Sequence, residues 1–210
     1  MATITVTRAL AERKLLVKRL EKNMSELKLV AVKVGDKLTG TESSYREDDF
    51  INQAKSDLQA TKDLYDRLIK IQKAIKESNA KTVIKVGKEE MTVQDAIAEK
   101  ENIQYKKNLL RKLKALSNTA DNNFAAAQEK NEKAIESLVS GTIGKDTTDV
   151  QKVAARKDAE NFINQNKAVA MVDPCDIKTL VKTLEEQIDD FESNVDYALS
   201  ESNSTTMIEI

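Results

Sequence analysis

Three pairs of adjacent carboxylates could do chemistry: Asp48/Asp49, Glu185/Glu186 and Asp189/Asp190. Two carboxyls in a partly desolvated cleft split their pKa values and can act as general acid and base. The same oxygens can hold a hard cation such as Mg²⁺ or Ca²⁺. All three pairs fall in heavily charged stretches that read as helix, where charge runs form solvated faces. No metal or catalytic role is assigned to them.

The single cysteine, Cys175, stands in "VDPCDIKTL". At the first turn of a helix its thiolate would gain from the helix dipole. The chain has no histidine to act as its base, so a small buried or half-buried structural residue is expected. One cysteine excludes an internal disulfide. Without histidine, a zinc site would be limited to carboxylates and this one thiolate. No Gly-x-Ser-x-Gly elbow occurs. We therefore expect no catalytic residue, no cofactor-binding residue, no metal ligand and no cofactor, and a chain that is not an enzyme.

Two β-branched runs end in glycine, "AVKVG" at 31–35 and "VIKVG" at 83–87. A phosphate-cradling loop needs more glycines and a Gly-Lys-Ser/Thr ending. A hairpin turn explains both runs. The basic cluster Lys106, Lys107, Arg111, Lys112 and Lys114 has only Tyr105 beside it for base stacking. A partner helix explains it better than nucleic acid.

The elements that position these groups follow from periodicity. A third of the 210 residues are charged and 4% are aromatic, with five Gly and one Pro. So little punctuation favours long helices. A first helix spans 6–27, with Val6, Leu10, Arg13, Val17, Leu20, Met24 and Leu27 at 4-3 spacing and Thr5 or Thr7 as cap. Residues 38–48 read as loop.

A second helix runs from Glu47 to Glu77 on Phe50, Ala54, Thr61, Leu64, Leu68, Ile71 and Ile75, broken at Asp57 and broadened by Leu58, Tyr65 and Ile69. Strands at 82–86 and 89–91 flank a Gly87-Lys88 turn. Thr92 then caps a third helix with Asp95 in a capping-box position. That helix carries Val93, Ala96, Ile97, Leu110, Leu113 and Leu116 and ends near Ser117.

"SNTADNNF" reads as a turn, followed by a weak helix over 125–139 and a loop over 140–149. A further helix at 148–166 has Val153 and Phe162 as anchors. Asp173 as N-cap and Pro174 as first residue open the last helix, whose stripe is Ile177, Leu180, Leu184, Ile188, Phe191, Val195 and Leu199. "STTMIEI" reads as a terminal strand.

The expected fold is mainly α: long antiparallel helices in a bundle or coiled-coil hairpin, with a small β-sheet at one end. That sheet would join the runs at 32–34 and 83–86 with "TTMIEI" as a third strand. Lys33 and Lys85 would face outward, with their valine neighbours packed on helices. The domain reading is an N-terminal helical hairpin with β elements (1–117), a helical insertion (118–172) and a C-terminal heptad helix and strand (173–210) packing on the first.

Charge is segregated. Residues 8–22 carry six basic and two acidic side chains, 99–114 also six and two, and 174–201 two and eight. Opposite-signed helices tend to lie side by side. The formal net charge of −1 argues against a dedicated nucleic-acid binder. "MATITVTRALAERK" lacks an apolar signal core, and no stretch approaches the ~18 apolar residues of a span. Neither export by a signal peptide nor a membrane partner is expected.

"SNAKTVIKVGKEEMTVQDAIAEKENIQYKKNLLRKL" (78–113) and "LSESNSTTMIEI" (199–210) resemble a family of short helical bacterial and phage-encoded proteins labelled septicolysin. The shared features are Asn before a strand, a Gly turn, Thr-x-x-Asp-Ala-Ile-Ala opening a helix, Arg-x-Leu near its end, and the closing Asn-x-Thr-Thr. Relative to that family, 118–172 reads as an insertion. The resemblance implies no biochemical activity. No long apolar or basic amphipathic segment supports the pore formation that the label suggests.

Together these readings imply a non-enzymatic structural or assembly protein that self-associates through its helices and a small sheet, as a homo-oligomer or with other structural proteins. Its expected setting is a bacteriophage virion. The alternative is a bacterial cytoplasmic coiled-coil adaptor or chaperone-like protein.

Overall fold

The computed structural model describes residues 3–39, 46–144 and 148–210. The elements in chain order are β1 (Thr3–Thr5), α1 (Val6–Glu26), β2 (Val32–Val34), β3 (Lys37–Thr39), α2 (Glu47–Lys81), β4 (Val83–Val86), β5 (Glu89–Thr92), α3 (Val93–Thr142), α4 (Asp149–Lys167), α5 (Ile177–Thr205) and β6 (Met207–Glu209). The fold is mainly α, with small two-stranded antiparallel sheets. The loop reading over 38–48 is overturned at 38–39, which end strand β3, and its part at 40–45, like the loop reading at 145–147, lies outside the described residues. The chain forms two compact units, Met1–Glu101 with Asp190–Ile210, and Asn102–Asp189.

In the first unit α1 and α2 run antiparallel. Glu12 meets Arg67 at 2.9 Å, and Asn23 lies beside Asp57 and Thr61. Their seam buries Val6, Ala9, Leu16, Leu68, Ile71 and Ile75 together with Ile208. Thr5 caps α1 by accepting the Arg8 amide at 3.3 Å.

On α2 the expected stripe is the one used: Leu68, Ile71 and Ile75 are buried, and Phe50, Ala54, Thr61 and Leu64 are half-buried. Asp57 sits half-buried in it, accepting a 2.7 Å hydrogen bond from Gln53. On α1 the seam is rotated from expectation. Ala9 and Leu16 are buried, Leu10 and Val17 are half-buried, and Met24 is 53% exposed. Apolar residues occupy both rows, and only the direction of the partner helix decides between them.

The strands at 32–34 and 83–86 form, but they do not share a sheet. β2 pairs β3, β4 pairs β5, and β6 pairs β1. Each glycine run closes on its own neighbour through a two-residue turn, with Gly35 and Gly87 at φ +63° and +58°. Glycine at the first turn position suits a type II′ hairpin.

The tail therefore has a different partner from the one expected. Ile208 stands opposite Ile4, and the Val6 amide donates to the Thr206 carbonyl at 3.0 Å. In "TIT" at 3–5 Thr and Ile are strand formers, but three residues are too few to show a period in the sequence. In β4, Ile84 and Val86 are buried while Val83 and Lys85 are exposed. In β2, Val32 and Val34 are 63% and 64% exposed, against the expectation that they pack. That hairpin is tied to the start of α2 by a Lys33–Glu47 ion pair at 2.6 Å.

At the opening of α3, Thr92 Oγ1 accepts the Asp95 amide at 3.0 Å and donates to the Asp95 carboxylate at 2.7 Å. Val93, Ala96, Phe191, Val195 and Ala198 are buried in this unit.

In the second unit α3 runs unbroken to Thr142. The turn at "SNTADNNF", the end near Ser117, the separate helix at 125–139 and the loop start at 140 are all overturned. That segment lacks Pro and Gly, and Ser, Thr, Asn and Asp each cost a helix only a few tenths of a kcal/mol. Thr119 donates to the Ala115 carbonyl at 2.8 Å, and Asp121 pairs with Lys178 at 2.9 Å. The first contact lies within the helix, and the second ties it to α5.

α4 packs on α3 through Ile135, Ala159 and Ile163. Val153 and Phe162, the expected anchors, are 70% and 54% exposed. Arg156 joins Glu132 at 2.6 Å and Glu160 at 2.8 Å. Those carboxylates raise its pKa, the Glu132 hydrogen bond foremost.

The last helix starts later than expected. The Asp173 carboxylate accepts the Cys175 amide at 3.2 Å and the Ile177 amide at 2.8 Å. The chain turns tightly there, with Asp176 at φ +49°, a conformation Asp tolerates better than most residues. Helix α5 then begins at Ile177. Within this unit it buries Leu184 and Ile188, while Leu180 is 43% exposed.

Candidate functional site

The three carboxylate pairs do different work. Glu185 accepts an ion pair from Lys114 at 2.6 Å, and Glu186 lies 3.9 Å from Lys182 on its own helix. Asp190 accepts the Lys88 amide at 3.0 Å through Oδ2, and the Asn194 side chain reaches its Oδ1 at 3.3 Å. Asp189 is exposed, as are Asp48 and Asp49 in the first turn of α2. Among the described residues no group of three or more His, Cys, Asp or Glu could hold a metal ion.

Cys175 is exposed, against the expectation of a buried or half-buried residue. The tight turn at Asp173 holds it outside the helix rather than in its first turn. Gly87, in the second glycine run, serves the β4–β5 turn. A side chain there would collide with the Asp190 carboxylate.

The basic cluster on α3 meets helix α5 within the chain: Lys114 pairs with Glu185. Lys100, nearer the start of α3, pairs with Asp196. The segregated charges at 99–114 and 174–201 thus find each other in part. The basic side chains of α1 do not. Arg8, Arg13, Lys14, Lys18 and Arg19 are exposed and make no ion pair among the described residues.

The surfaces best suited to interaction are second apolar stripes on helices whose first stripe is occupied. On α2, Ile51, Leu58, Tyr65 and Ile69 are 39%, 37%, 52% and 44% exposed. Lys55, Lys62 and Lys76 continue their 4-3 spacing and are exposed. The sequence contained the signal, because Leu58, Tyr65 and Ile69 widen the stripe beyond what one partner covers. On α3, Tyr105, Leu109 and Leu116 are 74%, 52% and 46% exposed at 4-7 spacing. That row was hidden by reading the residues around it only as a basic cluster.

No family model, curated protein or solved structure matches this chain.

Proposed function

We propose that this chain is a non-enzymatic structural or assembly protein that self-associates through its helices, and that its setting is a bacteriophage virion. The observation that carries this reading is the second heptad stripe of α2. Its first stripe is filled by α1, while Ile51, Leu58, Tyr65 and Ile69 remain in solvent. A stripe of this spacing suits another helix. Lys55, Lys62 and Lys76 along it favour an acidic partner. The outward acids Glu186, Asp189 and Glu201 of α5 in another copy are of that kind. Such a contact joins unlike patches, and unlike patches generate rings or filaments. The virion setting rests on the resemblance of 78–113 and 199–210 to phage-encoded proteins.

Light scattering tests the reading. The purified chain should exceed monomer mass at low salt and approach it at high salt, and Leu58→Asp with Tyr65→Asp should give a monomer at all salt concentrations. A salt-independent monomer for the unaltered chain overturns self-association. A second reading, a bacterial cytoplasmic adaptor, is favoured by the same lysines, since they suit the acidic helix of a different protein equally well. It predicts a monomer that captures such a helix.

A further inference from the structure

In the first unit a shallow groove of about 310 Å³ lies between one edge of β4 and the end of α5. Thr82, Val83, Ile84 and Lys85 form one wall. Ala198, Glu201, Ser202, Thr205 and Thr206 form the other. β5 contributes nothing to it, because β5 occupies the opposite edge of β4.

The hydrogen-bond phase of β4 is fixed. The Val93 amide donates to the Thr82 carbonyl at 2.9 Å, so Thr82, Ile84 and Val86 exchange bonds with the β5 side. In an antiparallel pair these positions alternate. The amides and carbonyls of Val83 and Lys85 therefore point away from β5, toward the open edge of β4, and among the described residues β4 has no second strand beside it.

The far wall offers a hydroxyl. Ser202 is only 8% exposed. Its carbonyl accepts from the Thr206 amide and the Thr205 hydroxyl. Its own hydroxyl makes no hydrogen bond among the described residues. That hydroxyl opens onto the groove that Ser202 lines, where a bound segment can meet it.

We infer that this groove binds an extended peptide segment, which adds as a strand to the free edge of β4. Strand addition satisfies the Val83 and Lys85 main-chain groups, and alternate side chains set the preference. The segment's side chain nearest Lys85 would be acidic, because that lysine is exposed and makes no ion pair among the described residues. A small polar residue would face Ser202.

The probe is an acetylated, amidated Thr-Val-Glu-Val-Thr peptide titrated into the full chain and followed by amide chemical shifts. Perturbations should centre on Val83 and Lys85. Methylating alternate peptide nitrogens should abolish binding in one parity and spare it in the other, because only one set of amides faces the strand edge. Val83→Pro removes an outward amide and no bond to β5, and should weaken binding by about tenfold or more, equivalent to about 1.4 kcal/mol. Ser202→Ala should weaken it several-fold with unchanged circular dichroism.

No binding at millimolar peptide overturns the proposal, and so does equal binding of both methylated peptides or loss of both. If Val83→Pro instead turns an oligomer into a monomer, a second copy occupies this edge and the peptide assignment is wrong. The methylated pair is read on the unaltered chain, so the test survives any folding defect in the variants. It is also indifferent to the α2 stripe.

Discussion

The carboxylate of Asp190 occupies the space where a side chain on Gly87 would begin. From there it accepts the Lys88 amide at 3.0 Å. A residue of α5 thereby holds the β4–β5 turn in place. The turn can approach so closely only because Gly87, at φ +58°, has no Cβ.

Gly87→Ala should be among the costliest small substitutions in the chain. It forces a left-handed conformation on alanine, about 1–2 kcal/mol, and pushes the Asp190 carboxylate away from the turn, losing its hydrogen bond to Lys88. Asp190→Ala alone loses one hydrogen bond, about 1 kcal/mol. Because removing Asp190 also clears the space, the double variant should cost less than the two singles together. Additive losses in urea unfolding would show that the contact is not made.

The core assignment of the last helix is testable by contrast. Leu184→Ala and Ile188→Ala should each cost about 2–5 kcal/mol, since both side chains are buried. Leu180→Ala, on the same expected stripe but 43% exposed, should cost far less. Equal losses at 180 and 184 would contradict the seam described.

On α4 the order of importance runs against hydrophobic size. Ile163→Ala should cost more than Phe162→Ala, because Ile163 is 2% exposed and Phe162 is 54% exposed. Thermal denaturation of the two variants decides the matter. A lower melting temperature for the Phe162 variant would reverse the face on which α4 packs.

The continuity of α3 across 118–124 can be probed with proline. Asn122→Pro should cost about 3 kcal/mol, as it removes a helical hydrogen bond and clashes with the preceding turn. In a turn the same change would be nearly neutral. Near-native stability would restore the break that the residue types suggest.

These expectations mark where the sequence could be read. The long α2 helix and its seam were legible because Leu68, Ile71 and Ile75 recur in one row with no competing row as strong. The turns of both hairpins were legible from Val-Gly, since glycine at a two-residue turn is a local requirement, but the return strand Lys37–Thr39 ran into a stretch that reads as loop. What is absent from local pattern is pairing. Ile4 and Ile208 each look like a stray β-former, and only the assembled fold shows them opposite one another. The unbroken α3 was missed because "SNTADNNF" is locally ambiguous, and contacts such as Asp121–Lys178 resolve it. Of the candidate surfaces, the α2 stripe was visible as excess width. The β4 groove was not, because it depends on where the end of α5 comes to rest.

The β1–β6 pairing has a consequence for how the chain is made. During synthesis Thr3–Thr5 and the inward face of α1 leave the ribosome long before Met207–Glu209 exists. α1 and α2 can zip together early, but the place beside Ile4, Val6 and Ala9 that Ile208 fills stays open until β6 emerges. An apolar notch next to an unpaired strand is what general chaperones and wandering strands of neighbouring chains seize. Final closure of the first unit is thus a late event, coupling a strand made before α1 to one made after α5. A ribosome stalled before residue 207 should hold this unit in a protease-sensitive form, and release of β6 should protect it.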